Sequence, residues 1–178
     1  MRPLAPGDVI LVRTPQLNWF QRMIGRLIRL GAALEDKPNL VNHVAIVWGT
    51  DQMGVQWCIE AQAGGVSWGL TSAYDNQYMI SNADESKDDE QRAAIVAAAV
   101  GMLGISYDWE AIGVDALEAL HLSSLWRMRQ WGDKPPAHVV CSSLADYVYA
   151  KVGLLHPGDG RLTTPADWYE LFLAHGWH

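Results

Sequence analysis

Basic residues are scarce in this chain. Thirteen Lys and Arg stand against twenty Asp and Glu, for a formal net charge of -7. They form no stripe of any length, so a nucleic-acid partner is not expected. Cysteine is nearly absent: Cys58 and Cys141 are the two in 178 residues. Two thiols exclude a disulfide-stapled scaffold, and both are expected free in a reducing compartment. Long apolar runs are missing too. The stretch Ala93–Tyr107 has 15 uncharged residues and is closed by Arg92 and Asp108. A membrane span needs about 20 apolar residues, so no transmembrane segment is expected. The opening MRPLAPGDVILVR has no extended apolar region before Asp8. A secretory signal is therefore not expected; a cytoplasmic location is the default, with delivery to a cell envelope by another route as the alternative.

Charged residues are only 19% of the chain and hydrophobic ones 49%. That balance excludes a disordered chain and suits one folded domain over 1–178. No repeat or linker divides it. Pro6-Gly7-Asp8 is a turn, and Val9–Arg13 reads as a first strand. Over Gln16–Leu30, Trp19, Phe20, Met23, Ile24, Leu27 and Ile28 recur at helical spacing, with Arg22, Arg26 and Arg29 between them. This predicts a surface helix. Were its apolar face turned outward, it would suit peripheral contact with a membrane or partner.

His43–Val47 and Val55–Ala61 are predicted strands joined by a polar loop. Gly64-Gly65 turns the chain into a further strand, Val66–Leu70, and Tyr78–Ser81 is a weaker one. Ser86 with Asp89 resembles a capping box opening a helix that runs to about Leu103. After a break at Gly104–Trp109, Glu110–Leu120 and Ser124–Trp131 have helical patterns. They form a candidate helical insertion at about 109–136. Ser142–Val152 is predicted helical up to Gly153. Thr164-Pro165-Ala166-Asp167 is a strong helix start, with Thr at N-cap, Pro at N1 and Asp at N3. The expected class is α+β: a small antiparallel sheet or partial barrel packed with helices.

Three residues could carry chemistry. Cys141 falls at the start of a helix, where free N–H groups and the dipole favour a thiolate. Its structural alternative is a buried, inert Cys. His43 heads an apolar strand, where a satisfied edge His is the ordinary reading. Glu60 interrupts another strand, and a carboxylate there needs a partner. With Trp48 placed opposite Val55, His43 falls directly opposite Glu60 on one sheet face. The carboxylate would then hold one imidazole nitrogen and leave the other for a thiol. A slip of one residue would separate them.

The ordered set PGDVIL, NHVAIVWG, CIEAQAGGV and VVCSSLADYVY resembles the circularly permuted papain-like hydrolases of the NlpC/P60 superfamily, in the YiiX/YaeF-like branch. In that branch the His precedes the Cys along the chain. The segment GISYDW is similar to a Gly-x-x-Tyr-Asp stretch found before the family's Cys helix. The resemblance spans about Pro6 to Leu171. It implies a permuted papain-like fold and a Cys–His–acid triad at Cys141, His43 and Glu60. It departs from the pattern at Asn42, where Ser is usual, and at Ala45, where Gly is usual. The segment from Trp109 to Pro136 is unlike the compact members and is read as a lid or substrate-side insertion.

The implied chemistry is thiol hydrolysis or acyl transfer. The substrate would be a peptide or another small acyl compound: an amide such as a cell-wall peptide, or a lipid ester or amide. No cofactor is implied. Tyr107 is a candidate donor to the oxyanion, and an ordinary half-buried Tyr is its alternative. A zinc site is disfavoured: His138-Val-Val-Cys141 is a short-spaced pair, and His121, His156, His175 and His178 are scattered elsewhere along the chain. Gly64-Gly65 and Gly101-x-x-Gly104 match no phosphate-binding fingerprint. A non-catalytic module binding cell-wall, lipid or protein remains the competing class. Burial of Cys141, or a Cys58–Cys141 bridge, would favour it.

Overall fold

The computed structural model of the chain describes residues 3–13, 40–83, 85–108, 136–158 and 163–177. The predicted helices at Gln16–Leu30, Glu110–Leu120 and Ser124–Trp131 lie outside the described residues, as does nearly all of the candidate insertion.

Five strands form one antiparallel sheet: β1 (Val9–Val12), β2 (His43–Thr50), β3 (Gln56–Gln62), β4 (Gly65–Leu70) and β5 (Met79–Ser81). Their spatial order is β4-β3-β2-β1-β5, and the sheet is open. Three described helices follow: α1 (Asp89–Val100), α2 (Cys141–Val152) and α3 (Pro165–His175). A short parallel pair, β6 (Ser106–Tyr107) and β7 (His138–Val139), leads into α2. The class is α+β, as expected, and the sheet does not close into a barrel.

Both faces of the sheet are covered, which is why VILV and VAIV read as continuous apolar runs. On one face Val9, Leu11, Val44, Ile46, Ile59 and Ala61 pack with Ile95 of α1, Leu144 and Val148 of α2, and Trp168 and Phe172 of α3. Each fully buried side chain of this size stabilises by about 1.5–3 kcal/mol. The other face carries a smaller cluster of Ile10, Val12, Ala45, Val47, Cys58 and Tyr74.

The helix ends follow local chemistry, with one correction. Thr164 caps α3 through Asp167, as its sequence predicts. Gly153 ends α2 in the left-handed conformation, at φ 73°. The box opening α1 is Asp88 with Gln91, not Ser86 with Asp89. Asp88 is extended, and its carboxylate accepts the Gln91 N–H while the Gln91 side chain takes the Asp88 N–H, so the reciprocal cap falls there. Just before it, Lys87 is buried and paired with Asp8 at 3.1 Å and Glu85 at 3.0 Å. Arg92 completes the arrangement with a 2.9 Å pair to Asp8. The Tyr149 hydroxyl, from α2, donates to the Gly7 carbonyl at 2.6 Å. The turn before β1 is thereby tied to both α1 and α2.

The β2–β3 hairpin differs from expectation in register. Ile46 pairs with Ile59 and Val47 with Cys58; the register then shifts at Trp48, and Gly49 pairs with Trp57. Carried back to the start of β2, this sets His43 opposite Gln62 rather than Glu60. The offset from the expected pairing is two residues, so His43 and Glu60 still share a face. Glu60 is a diagonal neighbour, within reach of a long side chain. β2 extends to Thr50, three residues past the predicted end, because the turn is built later. There Asp51 accepts from Met53 and Val55 backbone N–H at 2.8 and 3.0 Å.

Candidate active site

Cys141 is the first residue of α2. Its N-cap neighbour, Val140, has no side-chain acceptor, so the first-turn N–H groups are not consumed by a cap. The Ser142 N–H instead hydrogen-bonds the Cys141 sulfur, and the Val44 N–H of β2 does the same. His43, one residue before Val44, also hydrogen-bonds the thiol. The start of α2 thus meets the start of β2, and Cys141 and His43 come together across the chain.

His43 Nε2 is bonded to Glu60 Oε2. That nitrogen has one in-plane position, so the thiol is left with Nδ1. Glu60 is buried, and its carboxylate accepts three hydrogen bonds. Besides His43, the Tyr74 hydroxyl donates to Oε2. Gln62 Nε2 donates to Oε1 at 2.7 Å. The His43 side chain is 12% exposed, while Cys141 is only 4% exposed.

Burial penalises every charge here, yet the partners reverse it at three groups. For Cys141, burial pushes the thiol up, but the His43 hydrogen bond and charge carry it below its ordinary value. For His43, burial pulls the imidazole down, and the bonds to Cys141 and Glu60 more than restore it, to about 10. For Glu60, burial raises the carboxyl, and His43, Tyr74 and Gln62 lower it further than burial lifts it. The partners thus favour thiolate, imidazolium and carboxylate in sequence. Cys58 has the opposite fate: burial and the Glu60 charge both push its thiol up. The two cysteines are free thiols, as expected.

The charge pair has a consequence for stability. The raised His43 contributes stability that is full below its ordinary value of 6.5 and is lost as pH rises through about 10. The lowered Cys141 contributes stability that is present above its ordinary value of 9 and is lost as pH falls. The two slopes oppose each other between pH 6.5 and 9. Urea unfolding of the native protein and of Cys141→Ala across pH 5–10.5 measures this. A native slope in that window equal to loss of the Cys141 proton alone would contradict the pair.

Of the four residues singled out by sequence, Cys141, His43 and Glu60 come together. Tyr107 lies on β6 opposite Val139, two residues ahead of Cys141, and is half-buried against the larger core. The hydroxyl found on the Glu60 carboxylate is that of Tyr74. Tyr74 ends a single 3-10 turn, Thr71–Tyr74, that follows β4. Thr71 Oγ1 anchors this turn to the Gln56 carbonyl of β3 at 3.1 Å. No local pattern in TSAYDNQY marks Tyr74. The one available signal was the unmet demand of a carboxylate in an apolar strand.

Gly69 of β4 was likewise missed. It pairs with Cys58, beside Glu60. A Cβ at Gly69 would lie 2.9 Å from the Glu60 carboxyl carbon and 3.1 Å from Cys58 Sγ. The absence of a side chain is what makes room for the carboxylate. Gly69→Ala is expected to destabilise by about 1–3 kcal/mol and to push Glu60 off His43. Urea unfolding and mass-resolved alkylation of Cys141 at pH 7 read the two effects. Native values for both would show that the carboxylate has slack.

Compared with models of protein families, the sequence matches none, and a search of curated proteins found no match. The chemistry of the site is what bears on function. No helix among the described residues is long and apolar enough to cross a membrane.

Proposed function

We propose that the protein is a thiol hydrolase that cleaves an amide, such as that of a cell-wall peptide, through an acyl-enzyme on Cys141. The observation that carries this reading is the hydrogen-bonded series Cys141–His43–Glu60 with its thiol on a helix N-terminus. It supports the likeness to permuted papain-like NlpC/P60 hydrolases. Lipid esters or amides, and acyl transfer in place of hydrolysis, use the same triad.

The steps follow from the groups. The Cys141 thiolate attacks the carbonyl carbon, forming an S–C bond. The Cys141 backbone N–H at the helix start donates to the developing oxyanion, and Tyr107 is the proposed second donor. His43 gives its proton to the leaving nitrogen as the C–N bond breaks. A water then attacks the thioester, with His43 taking its proton, and the thiolate departs. Glu60 keeps the imidazole oriented and stabilises its charge.

Burial of Cys141 favours a second reading, a non-catalytic module that binds cell-wall, lipid or protein fragments. Intact mass spectrometry with a panel of cell-wall peptides and lipid esters separates the two. The hydrolase is expected to show a discrete acyl mass on Cys141 that decays with product. Tight binding across the panel with no adduct and no turnover would favour the module.

A further inference from the structure

We infer that Tyr74 is a positioning residue of this site: its phenol holds the Glu60 carboxylate charged and aimed at His43, and through His43 it keeps Cys141 a thiolate. This rests on the thiol-hydrolase reading and adds a fourth member to the triad.

The geometry is specific. Tyr74 and His43 meet at the same carboxylate oxygen, Oε2. The two rings lie 5.9 Å apart, tilted by 46°. Oε1 is left to Gln62. Gln62 is exposed, so water can replace its amide. Tyr74 is buried at 5% exposure, and its hydroxyl has no such substitute. Loss of that hydroxyl leaves Oε2 with a single donor in an interior site, which penalises the charged form. Gly69 of β4 packs against the carboxylate on its Oε1 side.

The phenol is also suited to permanent donation. Burial, and then the Glu60 charge, push Tyr74 well above the ordinary phenol range, so it keeps its proton wherever the site is charged. Among the described residues, the titratable groups facing Glu60 are His43 from β2, Cys58 from its own strand, and Tyr74 itself. Cys141 from α2 is coupled through His43. Cys58 stays neutral, since its thiol is pushed up. Weakening Glu60 as an anion therefore acts on imidazolium, and then on thiolate.

The test is site-resolved iodoacetamide labelling of Cys141 against pH, which requires no substrate. In Tyr74→Phe the ring and its packing remain. The acid limb of labelling is expected to move up by about one pH unit, making labelling about tenfold slower below the limb. Glu60→Gln is expected to move it at least as far, and adding Tyr74→Phe to Glu60→Gln should move it no further. A 3-fluorotyrosine at position 74 keeps the whole side chain and is a stronger donor, so it should move the limb down; this holds even if Tyr74→Phe fails to fold. A lowered melting temperature with an unmoved limb would make Tyr74 merely structural and overturn the inference. An additive shift in the double variant would overturn it as well. A limb at the ordinary thiol value in the native protein would overturn the hydrolase reading together with this one. A depressed limb that neither substitution at 74 moves would overturn this one alone.

Discussion

Cys141→Ala is expected to abolish the acyl adduct and to lower turnover by on the order of 10^6-fold, the scale lost when a triad's nucleophile is removed. Among the described residues, the other two acidic-proton nucleophiles of the site, Tyr74 and Cys58, are poor acceptors of the acyl group. Tyr74 keeps its proton, and the Cys58 thiol is pushed up by burial and by Glu60. His43→Ala should cost nearly as much, because the thiolate loses its counterion and the leaving nitrogen its acid. Glu60→Gln should be milder, about 10^2–10^4-fold. It preserves shape and a hydrogen-bond acceptor while losing the charge that stabilises imidazolium. The fold should survive Cys141→Ala, since alanine suits the first turn of α2 and the sulfur is a small part of the core. Circular dichroism and thermal melting check this beside the turnover assay. Turnover retained in a folded Cys141→Ala protein would refute the nucleophile.

The second large effect is a difference between the two cysteines. At pH 7 an ordinary thiol is about 3% thiolate, so a fully ionised one reacts up to about 30-fold faster on that count. Cys141 lies on the ionised side of this comparison and Cys58 on the protonated side. Cys58 is also 0% exposed, in the middle of β3. Alkylation of Cys141 is therefore expected to exceed that of Cys58 by well over 30-fold, beyond the ordinary-thiol comparison. The ratio should collapse toward unity in urea, where both environments vanish. Mass-resolved iodoacetamide labelling over pH 4–10 measures it. Equal folded-state rates, both rising near pH 8.5, would show that His43 does not activate Cys141.

Sequence alone determined those features whose causes are local. Thr164-Pro165-Ala166-Asp167 satisfies its own first-turn N–H groups, so α3 starts where the pattern says. Gly153 ends α2 because it takes the left-handed conformation without a Cβ clash. The position of Cys141 at a helix start follows from the same kind of signal. The shared face of His43 and Glu60 was not fixed in this way, because a slip of one residue would separate them; the register of the structure preserves it. What needed the tertiary structure was everything decided by distant partners. The register of β2 on β3 was set by the shift at Trp48 and the Asp51 turn, which apolar alternation cannot distinguish from an offset of two. Lys87 is buried beside α1 on Asp8, a partner far away in sequence. Tyr74 reaches Glu60 from a turn that carries no periodic signal, and Gly69 matters only for the volume it leaves empty. The charge preferences of Cys141 and His43 were decided the same way: burial opposes both charges, and the contacts of α2 with β2 and of Glu60 with His43 reverse it.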